Sequence, residues 1–238
     1  MNTRRYVPPG FTGILLVGAL IFGLIALTHT FGQTKDTLMA KPRQTTDWKL
    51  EGLINTPLRG QTMSGKPEVM NSPYGKAVHF NGQDDAVFLD ENPLEDLSQF
   101  TIEVVIHPDL KGEFEQRFLH MGEVNSDRVL LELRLTEDNQ WYLDAYIKSG
   151  ESFQTLIDKN LVHPAGAWYH VAFVVDNGRT ATYVNGKHEL DGKITLSSFK
   201  AGKTSIGVRL NQKSWFKGAI YEVRITPKCL TPSEFIKP

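Results

Sequence analysis

Two short segments bring sugar-competent side chains onto one surface. Over Val129 to Leu135, strand alternation sends Leu131, Leu133 and Leu135 one way and Leu130, Glu132 and Arg134 the other. Over Trp141 to Lys148 the apolar set is Trp141, Leu143, Ala145 and Ile147, and the opposite set is Tyr142, Asp144, Tyr146 and Lys148. If both apolar sets face a core, the other face gathers Glu132, Arg134, Tyr142, Asp144 and Tyr146. Sugars stack their C–H faces on aromatic rings and offer hydroxyls to carboxylates and guanidinium groups, so such a face is suited to glycan binding. The same pattern also describes a solvated sheet face with cross-strand ion pairs.

Two further segments add chemistry. Glu113 to Glu123 is dense in titratable groups, and His120 with Glu123 or Glu115 has the composition of an acid/base pair. The alternative is that Glu115 and Arg117 neutralise each other at an edge while His120 caps a strand. In Arg209 to Phe216, Trp215 stands among polar residues, either as a stacking platform for a ligand ring or as a cover over the core. No GxSxG, HExxH or P-loop string occurs, and no catalytic residue or metal ligand is assigned.

The elements that must position these groups read as strands: Val78 to Phe80, Ala86 to Leu89, Phe100 to Ile106, Arg117 to Met121, Arg128 to Leu135, Trp141 to Ile147, Thr204 to Arg209 and Ala219 to Ile225. Trp168 to Gly178 and Thr182 to Lys187 are rich in β-branched and aromatic residues around Asn-Gly turns, which predicts an antiparallel hairpin. Helical patterning is confined to a short turn at Pro232 to Ile236. This spacing predicts an all-β sandwich rather than a βαβ fold.

Several strings carry a family likeness. Trp168-Tyr169-His170-Val171-Ala172, Tyr183-Val184-Asn185-Gly186-Lys187 and Phe216 to Ile225, preceded by Gly75 to Asp85 and Phe100 to Pro108, resemble in order the laminin-G-like jelly rolls of the concanavalin A-like lectin/glucanase superfamily. The resemblance implies a two-sheet antiparallel jelly roll β-sandwich, a fold that hosts lectins, lyases, glycosidases and adhesion modules. It also implies a structural Ca²⁺ held partly by an Asp in the last strand, but Tyr221 occupies that place in Ile220-Tyr221-Glu222-Val223-Arg224-Ile225. Asp84 and Asp85 are the remaining oxygen donors. The E-x-D-x-x-E string of β-glucan glycosidases is absent. Of the alginate-lyase motifs only Ser198-Phe199-Lys200-Ala201-Gly202 is echoed, and Val105-Ile106-His107 lacks the expected Gln.

With 238 residues, 40% hydrophobic and 22% charged, the chain can bury one medium core. A formal net charge of -1 and the lack of a dense basic stripe argue against nucleic-acid binding. The single cysteine, Cys229, forms no intrachain disulfide and is expected to fill space behind the final strand. From Phe11 to Leu27 the chain is almost wholly apolar, with Arg4 and Arg5 before it and no charged residue until Lys35. This predicts a transmembrane anchor over 11–31, a cytoplasmic N-terminus over 1–10, a linker over 32–46 and an extracytoplasmic jelly roll over 47–238. Cleavage as a signal peptide, giving a secreted chain, is the alternative. The expected function is non-catalytic binding of a glycan or other surface ligand. The alternatives are a polysaccharide lyase or glycoside hydrolase of this fold, and a protein–protein adhesion or scaffolding module. No cofactor is expected apart from the structural Ca²⁺ that the resemblance implies.

Overall fold

The structure, a computed structural model, describes residues 43–237. Its strands in chain order are β1 (Thr46–Lys49), β2 (Gln61–Ser64), β3 (Glu68–Ser72), β4 (Gly75–Asn81), β5 (Ala86–Leu89), β6 (Gln99–Pro108), β7 (Glu115–Gly122) and β8 (Arg128–Leu135). They continue as β9 (Gln140–Ser149), β10 (Ser152–Ile157), β11 (His163–Pro164), β12 (Tyr169–Asp176), β13 (Arg179–Val184), β14 (Lys187–Lys193), β15 (Lys203–Ile206) and β16 (Lys217–Thr226). A short helix, α1 (Leu50–Asn55), and a 3-10 turn at Pro232–Glu234 are the helical elements among the described residues.

All the strand pairings named here are antiparallel and build two eight-stranded sheets. The first runs β14-β13-β12-β6-β16-β4-β3, with β1 also beside β16; the second runs β10-β9-β8-β7-β15-β5-β2, with β11 also beside β9. Alternation dictates how they meet. Leu131, Leu133, Trp141, Leu143, Ala145 and Ile147 of the second sheet share one core with Phe100, Ile102, Val104, Ile106, Val171, Phe173 and Val175 of the first. Each large apolar side chain so buried contributes roughly 1.5–3 kcal/mol, and it is this shared burial that fixes strand register. The β12–β13 hairpin turns through Asn177 and Gly178, at φ 46° and 88°, the two positive values that a type I′ turn demands.

The outer face of the first sheet is covered where β6, β12 and β16 run side by side. The chain after β16 folds back over it, so that Leu230 and Phe235 pack on Ala172 and Val174. Beneath them the fully buried Glu103 carboxylate accepts the Ile236 N–H at 2.6 Å and the Arg224 Nε at 2.8 Å, with His170 Nε2 3.0 Å away. Thr101 Oγ1 donates to the Lys228 carbonyl and accepts from the Leu230 N–H, both at 2.9 Å.

The all-β, two-sheet reading of the sequence agrees with this architecture, and several local readings need correction. Leu50–Asn55 is helical, with Leu50 and Leu53 in the core; six residues are too few to show a helical period. The strand expected over Thr204 to Arg209 ends at Ile206. Gly207, at φ 89°, turns the chain where a Cβ would lie 2.4 Å from the Phe80 ring. Cys229 is exposed and fills no space behind the last strand, because the neighbouring Leu230 takes the inward position. The helix expected over 11–31, and most of the expected linker, lie outside the described residues. No helix among those described is long and apolar enough to cross a membrane.

Candidate functional site

The antiparallel register of β7, β8 and β9 sets charge against charge on the outer face of the second sheet. Glu115 lies opposite Arg134, Arg117 opposite Glu132, and Glu132 opposite Asp144. The side chains join into a ladder. Arg117 donates through Nε to Glu132 Oε1 at 2.9 Å and through Nη1 to Glu115 Oε2 at 3.0 Å. Arg134 donates through Nη1 to Glu132 Oε2 at 3.0 Å and through Nη2 to Asp144 Oδ2 at 2.5 Å, with Glu115 Oε1 3.2 Å away. The Ser214 hydroxyl donates to Glu115 Oε2 at 3.1 Å, which ties the loop before β16 to the ladder.

Burial sharpens these interactions. Glu132 and Asp144 are 3% and 4% exposed, and burying carboxylates this deeply is costly unless guanidinium groups such as these compensate them. For Asp144 the compensation is incomplete: burial pushes its carboxyl up to about 6, the Arg134 charge pulling it back and the nearby Glu132 pushing it further. Glu115 is held below the usual carboxylate range by its bond from Arg117. Burial alone would lower the Arg117 guanidinium, yet Glu115 and Glu132 outweigh it and hold it above its ordinary value.

Beside the ladder opens a pocket of about 250 Å³, lined by Arg117, Glu132, Arg134 and Asp144 of the ladder together with Arg128, Leu130, Tyr146, Thr155 and Arg209. Three residues of the lining each carry a buried polar atom without a hydrogen-bond partner: Asp144 Oδ1, Arg128 Nε and Arg209 Nε. Native folds satisfy nearly all such atoms, so three of them on residues of one lining set this pocket apart as the candidate site. Arg128 lies with its guanidinium carbon 4.8 Å from the centre of the Tyr146 ring and donates to the Ser126 carbonyl at 2.7 Å. Arg209 donates to the Val124 carbonyl at 3.3 Å; burial, then the Arg117 and Arg128 charges, hold its guanidinium below the ordinary value.

The residues singled out in the sequence fall into four groups. Glu132, Arg134, Asp144 and Tyr146 line the pocket. Tyr142, opposite Arg134 in the register, lies on the same sheet face by alternation but outside the lining. His120 is fully buried and both ring nitrogens are spent on backbone: Nδ1 accepts the Leu210 N–H at 3.1 Å, leaving Nε2 to donate to the Glu123 carbonyl at 3.3 Å. Burial pushes its imidazole down to about 3, so it stays neutral, and the pairing expected with the Glu123 or Glu115 carboxylate is not formed. What His120 holds is the segment carrying Arg209. Trp215 is half-buried outside the pocket lining, next to the core residue Phe216, and is bridged to Arg117 through backbone.

The sequence reading did not place Arg128, Thr155 and Arg209 in a site. Arg128 carries a signal, since it shares the parity of Leu130, Glu132 and Arg134 on β8. Arg209 lies beyond a strand end and carries none.

Asp85 and Tyr221, the residues that bear on a structural Ca²⁺, are both engaged within the fold. Asp85 accepts the Lys66 and Asn81 N–H groups on its two oxygens, at 2.6 and 3.0 Å. Tyr221 occupies a bulge in β16, with the Lys49 ammonium 4.6 Å from its ring centre and Tyr74 at 5.7 Å. Among the described residues no group of three or more His, Cys, Asp or Glu side chains could hold a metal ion.

The sandwich is that of a known class: the chain belongs to the concanavalin A-like lectin/glucanases superfamily, whose laminin-G-type family model matches residues 81–235. Among solved structures it is similar to domain 4 of AbnA, a GH43 extracellular arabinanase from Geobacillus stearothermophilus in complex with arabinotriose. That match has 25% identity and a TM-score of 0.57, covering 73% of this chain and 85% of that one. It is also similar in fold to the ligand-binding domain of botulinum neurotoxin serotype D in complex with N-acetylneuraminic acid, at 16% identity and TM-score 0.56, covering 73% of this chain and 43% of that one. A heptameric SAP-like pentraxin from Limulus polyphemus shares the fold at 18% identity and TM-score 0.52, with 66% and 77% covered. No curated protein matches the chain.

Proposed function

We propose that the chain is a membrane-tethered, extracytoplasmic module that binds a glycan at the outer face of the second sheet without transforming it. The observation that carries this reading is that Asp144, Arg128 and Arg209, which line one open pocket, each hold a buried polar atom without a hydrogen-bond partner. The arabinanase domain bound to arabinotriose, 25% identical to this chain, supports a saccharide as the ligand class. The tether rests on the uncharged run after Arg5.

Titration of the full-length chain, purified in detergent, against a panel of oligosaccharides tests the binding. Saturable binding that Asp144→Ala abolishes, with no product formed, is the expected result; binding that Asp144→Ala leaves unchanged would remove the pocket as the site. Membranes washed with carbonate should retain the intact chain. Recovery of a soluble form cleaved after about residue 28 would replace the tether with secretion.

One observation favours a second reading, a lyase or hydrolase. A buried carboxyl raised to about 6 beside a guanidinium is what acid/base chemistry near neutrality requires. Cleaved product in the same titrations, lost in Asp144→Asn, would establish it.

A further inference from the structure

We propose that the pocket beside the β7–β9 ladder is a subsite for an acidic sugar, in which Arg128 and Arg209 take the carboxylate or sulfate of the bound residue while Asp144 Oδ1 accepts one of its hydroxyls. The proposal rests on the glycan-binding reading above and specifies the ligand within it.

Charge on the face is partitioned unevenly. Arg117 and Arg134 share the three carboxylates of Glu115, Glu132 and Asp144. Arg128 and Arg209 line the same pocket, and among the described residues neither forms an ion pair; each donates to backbone carbonyls, and Arg128 also to the Tyr146 hydroxyl at 3.3 Å. A neutral sugar would leave both charges without a counter-charge at the moment it displaced their water. An anionic substituent supplies the counter-charge and meets guanidinium geometry with paired N–H donors. The two buried Nε atoms that lack an acceptor belong to these same two residues.

The third unpartnered atom excludes a bare anion as the whole ligand. Asp144 Oδ1 is an acceptor within a nearly buried carboxylate, so what approaches it must bring a donor. A group with both a hydroxyl and an anionic substituent on one small ring satisfies all three atoms, and the volume of about 250 Å³ suits a single monosaccharide unit rather than a buried chain. The ring of Tyr146 is itself covered by Arg128, so the selectivity of the pocket comes from charge and hydrogen bonds more than from stacking.

The test uses the full-length chain in detergent and three probes: an oligogalacturonate, which carries carboxylates; a heparin-derived oligosaccharide, which carries sulfate esters as well; and a neutral arabino-oligosaccharide of equal length. At least one acidic probe should bind ten times or more tighter than the neutral one, and the Arg128→Gln/Arg209→Gln variant should lose at least tenfold for that probe while its affinity for the neutral one moves less than threefold. The better acidic probe identifies carboxylate or sulfate as the group read. Lys replacements at both positions, which keep charge but not the fork, serve if the Gln variant fails to fold; they too should lose acidic-probe affinity. Equal affinity for acidic and neutral probes overturns this inference and leaves glycan binding standing. Binding of polyglutamate as tight as the acidic probes overturns it as mere surface attraction, and no binding of any saccharide overturns both readings.

Discussion

Arg134 donates to one oxygen of Asp144 at 2.5 Å, while the other oxygen of the same carboxylate is buried with no donor. Half of this side chain is thus committed to holding the ladder together and half is left over, and the tests of the site turn on separating the two.

Arg134→Ala is expected to be costly in the absence of any ligand. It strips the nearly buried Glu132 and Asp144 of a shared counter-charge, and breaking a buried pair in this way costs about 3–5 kcal/mol. Urea unfolding followed by tryptophan fluorescence reads this. A loss under about 1 kcal/mol would mean that the ladder is solvated and behaves as an ordinary surface pair.

Asp144→Asn should act in the opposite direction, with a defined pH dependence. The folded carboxyl titrates at about 6, above an ordinary Asp value of 3.8, so the folded state holds its proton longer than the unfolded chain does. The resulting stability is present at pH values below the unfolded value and is lost as pH rises towards 6 and above. The variant should therefore gain on the parent between pH 4 and pH 7, by roughly 1–3 kcal/mol. A gap that stays constant with pH would show that Asp144 is not titrating in this range.

How much of this was legible in advance depends on the element. On β8 and β9 strict alternation put Glu132, Arg134, Asp144 and Tyr146 on the outer face, because a single-residue slip would have buried the charges and exposed Leu131 and Leu143. On β7 the register shifts between Arg117 and Leu119, which leaves Phe118 and Leu119 both buried, so counting along the sequence could not say which way His120 pointed. Arg209 was beyond reach for a different reason. Its place is set by His120 Nδ1 bonding to the next backbone N–H, a contact spanning 90 residues.

His120 provides an acid-side signature. Its imidazole titrates at about 3 in the fold against 6.5 for a free histidine, so below the free value the unfolded chain binds a proton that the folded chain refuses. Stability from this group is complete above that value and falls as pH drops towards 3. Imidazole ¹⁵N shifts should report an Nε2–H tautomer down to at least pH 4.5. A protonated ring at pH 5.5 with the domain still folded would contradict the buried arrangement.

Glu103→Gln tests the closure of the first sheet. The buried carboxylate is served by His170, the Ile236 N–H and Arg224, which together overcome its burial and hold it below the usual range. Loss of its charge should loosen the segment after Thr226, exposing the amides of Leu230 and Ile236 to hydrogen exchange before the β8 and β9 amides respond. Simultaneous release of all of them would make the covering segment part of the global unfolding unit.

The chain's first described strand, β1, joins β16 of the first sheet, and its last residues lie across that same sheet, while the pocket opens from the second. Both ends of the domain thus leave from one layer of the sandwich and the charged groove looks out from the other. A surface or reporter protein joined directly at Lys237 would therefore sit against the first sheet, on the layer away from the pocket.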